Sequence, residues 1–281
     1  MNSKCLIIYI IILLAGTFAG YAQEETKLPL TYQSLSVGMG QSSAYDSYLS
    51  PLKYSGYTIG LAGERMKTTG LLKSRISTQH LFHLEFANTE NPSKSANTYV
   101  GSVNYNYGMY YRFDPIQKLQ LFAGLQGDAL LGFVYNLRNG NNPANAKANL
   151  DLNVSGMAAY QFHIKRQAVQ LRYQINVPFV GALFSPEFGQ SYYEISLRDG
   201  NPLVHFAAWH NRFALRNIFS VELPLDFCTL RLSAMNWLYE TRVNDLNTQL
   251  ISNSIYVGVS KYFHTVPGTK TDKNKYRYVF E

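Results

Sequence analysis

The chain has 281 residues, with 22 Tyr, 16 Phe and 2 Trp, but Asp, Glu, Lys and Arg together make only 15% of it. An average soluble domain carries about 25% charged residues, so this composition excludes an ordinary cytosolic enzyme. With 46% apolar residues it also excludes a disordered chain. The formal charge of +7 is modest for this length and forms no dense basic stripe, so nucleic acid is not an expected partner.

The first element is a secretory signal over residues 1–22. Lys4 gives it a basic start, an apolar run follows from Cys5 to Leu14, and Gly20, Tyr21 and Ala22 place small residues at a cleavage site before Gln23. About ten to twelve apolar residues are too few to cross roughly 30 Å of hydrocarbon, which disfavours an anchor helix. Removal of the signal takes Cys5 away and leaves Cys228 as the one thiol, so no disulfide framework holds the exported chain.

After the signal the dominant pattern has a period of two. From Tyr99 to Phe113 the odd positions are apolar or aromatic, including Val103, Tyr105, Tyr107 and Met109, while Ser102, Asn104, Asn106 and Arg112 fall between them. Val169, Leu171, Tyr173, Ile175 and Val177 alternate in the same way with Gln170, Arg172, Gln174 and Asn176. The same test predicts ten strands, near 30–40, 54–67, 75–88, 99–113, 118–135, 149–162, 168–179, 210–223, 227–240 and 249–263. Ordinary strands average about five or six residues, whereas a tilted membrane-spanning strand needs roughly nine to eleven. The lengths therefore predict an all-β, antiparallel transmembrane β-barrel over residues 23–263, with a polar tail over 264–281.

The connections alternate between longer and shorter, 41–53 against 68–74, 89–98 against 114–117, and so on to 241–248. That predicts short periplasmic turns, long external loops and both termini on the periplasmic side. Residues 191–209 allow one more strand pair, making twelve strands, but their Gly, Pro and polar content places them in the longest external loop. Tyr57, Phe86, Tyr99, Phe133, Phe179 and Phe213 fall at external strand ends, and Tyr111, Phe113, Tyr160, Phe162 and Phe263 at periplasmic ends, as two aromatic girdles would. A soluble β-sandwich or lipocalin-like barrel is the competing reading.

The last predicted strand resembles the C-terminal signal read by barrel assembly machinery, with Gly258 followed by alternating apolar and aromatic residues up to Phe263. Lys261 departs from that pattern, although a Lys can snorkel at an interface. The first external loop, with Asp46, Tyr48, Pro51, Lys53, Tyr54 and Gly56, is similar to the opening of an uncharacterised family of exported barrel proteins of Bacteroides-like Gram-negative bacteria, a domain of unknown function. Glu64, Arg65 and Met66 extend the resemblance over the first two strands, and the remainder is similar in architecture. It implies an outer-membrane location and transfers no catalytic residue.

If the apolar faces meet lipid, the opposite faces line a lumen. They carry Glu64, Glu85, Asp128, Asp151 and Glu222 beside Arg112, Arg172, Arg212, Arg216 and Arg231, a near-neutral set expected to cross-link a narrow or closed interior. His83, Glu85 and Asn88 form a possible catalytic group at the external rim, because a His oriented by a carboxylate is the base half of a hydrolytic constellation. Glu85 stands where outer-membrane phospholipases have Ser, and the acid and His motif of surface proteases has no match. A lipase-like or protease-like hydrolase is therefore the alternative, and a non-enzymatic barrel is expected.

His80 points to lipid by strict alternation, which predicts a bulge, a shifted register or an adjacent protein. His205 and His210 lie without the carboxylate or thiol spacing of a metal site, so no metal and no cofactor are expected. The Asn153 sequon lies within a predicted strand and carries no weight. Phe184, Phe188, Tyr192, Tyr193 and Trp209 make the longest loop either a lid or a binding surface. The expected protein is thus a monomeric outer-membrane barrel with a structural, porin-like small-solute transport or surface-binding role. Its expected partners are lipid, the assembly machinery and a surface protein, glycan or solute.

Overall fold

The structure, a computed structural model, describes residues 28–29, 31–140, 142–164, 167–197, 202–225, 228–263, 276–277 and 279. The signal segment 1–22 and most of the tail lie outside them. Ten long strands form the wall: β2 (Thr31–Asp46), β3 (Ser50–Thr68), β4 (Ile76–Glu90), β5 (Asn97–Ile116), β6 (Leu119–Asn136), β7 (Ala144–Ile164), β8 (Gln167–Phe184), β10 (Arg212–Pro224), β11 (Thr229–Val243) and β12 (Leu246–Phe263). Each pairs antiparallel with its neighbours, and the sheet closes through β12 on β2 and β8 on β10. Three short elements complete the fold: β1 (Leu28–Pro29), β9 (Val204–Ala208) and β13 (Tyr276–Arg277). β1 and β13 pair in parallel, so the short segments before β2 and beyond β12 meet on one side of the barrel. That side is the turn rim, and the opposite side, which carries residues 185–211, is the loop rim.

Alternation fixes which side chains go inside. Along β4, Ser77, Gln79, Leu81, His83, Glu85, Ala87 and Thr89 are buried, while the residues between them face outward. The outward face is apolar, with Tyr57 79% exposed and Val37, Met39, Ile59 and Leu131 similarly uncovered. Rings gather at both ends of that face. Phe86 stacks on Tyr99 at the loop rim, and Tyr111 meets Phe113 and Tyr160 meets Phe162 at the turn rim. Rings at strand ends suit the wet edge of an apolar band.

Several strands run further than the alternation predicted. The expected loop 41–53 contracts to a turn at 47–49, and 241–248 contracts to Asn244 and Asp245. Both residues of that second turn have positive φ, 53° and 58°, as a two-residue hairpin matching the strand twist requires. Among the described residues of 191–209 there is no strand pair; a short helix, α1 (Tyr192–Leu197), and the fragment β9 stand there, and the barrel has ten strands. No bulge lies at His80, whose register with Arg65 and Tyr107 is continuous. It faces outward among rings, with Nδ1 2.7 Å from the Tyr105 hydroxyl.

The Asn244–Asp245 turn tolerates its left-handed backbone because short polar side chains adopt it at little cost. Asp245→Val places a β-branched residue there and is expected to lower stability by about 1–2 kcal/mol. Reversible urea unfolding in lipid vesicles, followed by tryptophan fluorescence, measures it.

Candidate functional site: the lumen and the loop rim

The lumen is filled from one side. β2 and β12 present small residues inward, Ser34, Ser36, Gly38, Gly40, Ser42, Ser252 and Ser254, and long side chains from the other strands occupy the space. A Cβ on Gly38 would lie 2.5 Å from the Tyr256 ring, so glycine at that position lets the ring lie flat against the wall. The Tyr256 hydroxyl then reaches His83 Nε2 at 2.7 Å.

Three layers of polar contacts cross the interior. Nearest the turn rim, Glu64 is central: it pairs with Arg172, accepts from Arg231 at 2.7 Å and accepts from Gln79 at 2.6 Å. Arg231 also lies 3.6 Å from Glu222, and Tyr32 bonds to both. Below this layer Val279, at 0% exposure, packs with Tyr32, Met66, Tyr110, Phe122 and Met157, so a residue of the tail closes the turn rim. In the middle layer Arg216 lies 3.9 Å from Asp128 and 5.8 Å from the Trp237 ring centre, while Asn104 donates to Asp128 at 2.6 Å. The upper layer joins Arg212 to Asp151 and Lys147 to Asp46 at 2.9 Å.

All ten expected lumen charges face inward, but they do not pair as five acids with five arginines. Arg112 Nε lies 3.3 Å from Asp114, a residue of its own strand near the turn rim. Glu85 has no arginine within ion-pair distance among the described residues; its neighbour is His83 at 3.7 Å, and Thr58 donates to it at 3.0 Å. Asp46 and Lys147 were missed because both fall in expected loops, although their parity with Ala44 and Asn149 marks them as inward. Asn153, read only as a sequon, faces the lumen and donates to Gln126 and Asp128.

The expected rim group does not assemble. His83 and Glu85 are buried at mid-wall rather than at the rim, and Asn88 faces the outside, where it accepts from Asn97 at 3.0 Å. The reason is the period of two: Asn88 has the parity of Phe86, not of Glu85. His205 Nε2 lies 3.0 Å from Asn244 Nδ2, and His210 stacks on Phe206.

The loop rim is sealed by backbone contacts rather than by the expected rings. Tyr48 donates to Gln190 O at 2.5 Å, Asn139 to Leu49 O at 3.2 Å, and Asn244 to Pro186 O at 3.3 Å. Beneath them Tyr48, Leu49, Val134, Trp237, Tyr239 and Leu250 form a buried apolar cluster inside the barrel mouth. Cavities among these layers measure about 20 and 30 Å³, each enough for one or two waters. The expected lid rings point elsewhere. Phe188 is 68% and Trp209 67% exposed, Tyr193 is also exposed, and Phe184 belongs to β8, half-buried opposite Val204. Of Tyr192 only the helical backbone is described. Trp209 Nε1 donates to Pro178 O at 2.8 Å, which fixes the ring while leaving its faces open.

Helix α1 starts at a capping box. Ser191 Oγ accepts from the Glu194 N–H at 3.3 Å, and the Glu194 carboxylate accepts from the Ser191 N–H at 2.6 Å. These bonds to Ser191 hold the exposed Glu194 carboxyl below its ordinary pKa, so the cap persists at neutral pH and loosens as pH falls through that lowered value.

A closed antiparallel wall, apolar outside and polar within, defines this chain as having the outer-membrane β-barrel fold. It belongs to the family described as a protein of unknown function (DUF3316), which it matches over residues 6–270. No curated protein sequence matches it. Among solved structures, it is similar to the outer-membrane protease OmpT of Escherichia coli, at 7% identity and a TM-score of 0.54, over 83% of this chain and 97% of that one. A likeness to the transport unit of the Escherichia coli autotransporter AIDA-I covers 91% of this chain and 97% of that one, at 10% identity and a TM-score of 0.49. At such identities the likeness is one of fold, and no residue role passes with it.

Glu64 holds two arginines, so its loss removes the carboxylate that buried Arg172 and Arg231 share. Glu64→Ala is expected to lower stability by about 3–5 kcal/mol in vesicle unfolding, whereas Glu222→Ala removes one longer ion pair with its bonds from Tyr32 and Ser260 and costs less.

Proposed function

We propose that this protein resides in the outer membrane, after export and insertion by the barrel assembly machinery, as a closed barrel that presents its loop rim to an external protein or glycan. The observation that carries the reading is the contrast between a lumen crossed by three polar layers, with cavities the size of one or two waters, and a loop whose rings stand open. Apolar outward faces and ringed strand ends support the location. Rigid rings on loops supply binding area at low entropic cost. No enzymatic chemistry is assigned, since Asn88 faces away from His83 and Glu85 and the latter two are buried at mid-wall.

Planar-bilayer recording of the folded protein tests the closed lumen. We expect no stepwise conductance, either in the full chain or after deletion of 186–204. The deletion is expected to abolish capture of the ligand found with glycan arrays and a purified surface-protein fraction. Stepwise conductance in the full chain, or its appearance on deletion, would favour transport instead. Turnover of phospholipid or peptide panels that disappears in His83→Ala would establish the hydrolase.

A further inference from the structure

The outer face of the wall is not uniform. On β5, β6 and β7 the outward positions are apolar, aromatic or glycine almost from rim to rim, as in the run from Leu121 through Leu125 and Leu131 to Phe133. On β10, β11 and β12 that run is interrupted at one level. Asn217 is the register partner of Asn236, and Asn236 that of Asn253, so three asparagines fall in one row across three strands. They share the outward parity of Phe219, Ala234 and Ile255. Apolar residues flank the row on both sides, Leu215 and Phe219 on β10 and Ile251 and Ile255 on β12. The row is thus within the apolar band and not at its wet edge.

The asparagines bond to one another in one direction. Tyr173 Oη donates to Asn217 Oδ1 at 2.8 Å, Asn217 Nδ2 to Asn236 Oδ1 at 3.1 Å, and Asn236 Nδ2 to Asn253 Oδ1 at 2.8 Å. Gln41 continues the row on β2 as the register partner of Asn253. A carboxamide carries two N–H donors and an oxygen with two lone pairs, and the row uses one donor and one lone pair of its middle member. The rest of that capacity points at hydrocarbon, where an unmet polar group is costly. Beside the row the wall is concave, with a volume of about 540 Å³ bounded by Met39, Gln41, Phe219 and Ile255.

We propose that this face is the interface between two copies of the chain within the membrane. The unused groups are amide donors and amide acceptors in similar number, so the row is its own chemical complement. A two-fold axis along the membrane normal brings row against row, which is how a self-complementary patch closes. An acyl chain fills the concavity but offers neither donor nor acceptor, and the row carries no charge for a charged partner. Small polar side chains join spans in this way where water is absent. The proposal rests on the membrane location proposed above, and it replaces the expectation of a monomer.

Disulfide trapping and mass measurement test it on the full chain. In a Cys228→Ser background, Met39→Cys protein in phosphatidylcholine vesicles is expected to give a cross-linked dimer on oxidation, and Leu125→Cys on β6 is expected to give none. The wild type is expected to sediment in detergent as a dimer, and the N217L/N236L/N253L variant to associate at least tenfold more weakly while keeping the heat-shifted gel band of a folded barrel. Monomeric wild-type protein, equal cross-linking at both positions, or association unchanged in the triple variant overturns the interface. A chain that stays folded in water and does not enter vesicles overturns the membrane location as well, which separates the two failures.

Discussion

Closure of the sheet governs everything else in this protein. A strand facing hydrocarbon has no water to bond its N–H and C=O groups, so each must pair along both edges. The seam of β12 with β2 meets this demand from Thr248 opposite Asp46 to Phe263 opposite Thr31. The seam of β8 with β10 does so only from Asn176 opposite Arg216 to Gln170 opposite Glu222. Above it β8 continues to Phe184 and takes a different partner, the fragment β9, from Val180 to Phe184. Pro178 lies between the two partners, where a residue without an N–H leaves no donor unpaired. The longest loop therefore begins as a structural necessity: it returns a strand to cover the upper edge of β8. That fixed edge then anchors Trp209 through Pro178 O.

The lumen follows from a division between small and large faces. Serine and glycine on β2 and β12 leave room, which arginines of the other strands and Trp237 and Tyr239 of the adjoining β11 fill. Buried charges cost much unless they are paired and bonded, so Glu64, Asp128 and Asp46 collect partners across the interior, whereas Glu85 and Glu222 also use their own or the adjoining strand. Glu64 on β3 with Arg172 on β8 joins opposite walls, while Glu64 with Arg231 and Asp151 with Arg212 tie together strands that do not pair directly. An aqueous channel would require these contacts to be absent or to follow the wall. The apolar cluster around Trp237 adds a dry layer above them.

How much of this was legible in the sequence depends on which physical signal carried it. The period of two along Tyr99–Phe113 contains both the strand and its inward face, because an apolar exterior and a polar lumen impose opposite demands on neighbouring residues. Strand ends were harder to read. Beside Asp46 both faces of the strand carry polar residues, so alternation fades although pairing continues, whereas around Lys147 it persists with only alanine on the outer face, a weak apolar signal. Contacts across the lumen left no local trace, since the inward orientation of Arg112 and Arg231 does not say which acid each will reach. Asn88 was misplaced by proximity in sequence, where parity would have put it outside. The asparagine row was visible position by position in the outward parity of Asn217, Asn236 and Asn253, but only register shows that the three stand side by side.

Polar groups in this barrel therefore obey two different rules. Inside, carboxylates, arginines, amides and hydroxyls meet in dense sets, and their bonds run from wall to wall. Outside, the asparagines of β10, β11 and β12 bond only along the wall, each to the next, with part of their capacity turned outward. A wall shaped only by contact with lipid would resemble β6, where leucine, alanine, glycine and aromatic residues fill the outward positions. The difference between the two walls gives the cylinder a front and a back. The inner face and the front of the outer face thus use the same amide chemistry to opposite ends, cross-linking within the one and leaving open capacity on the other.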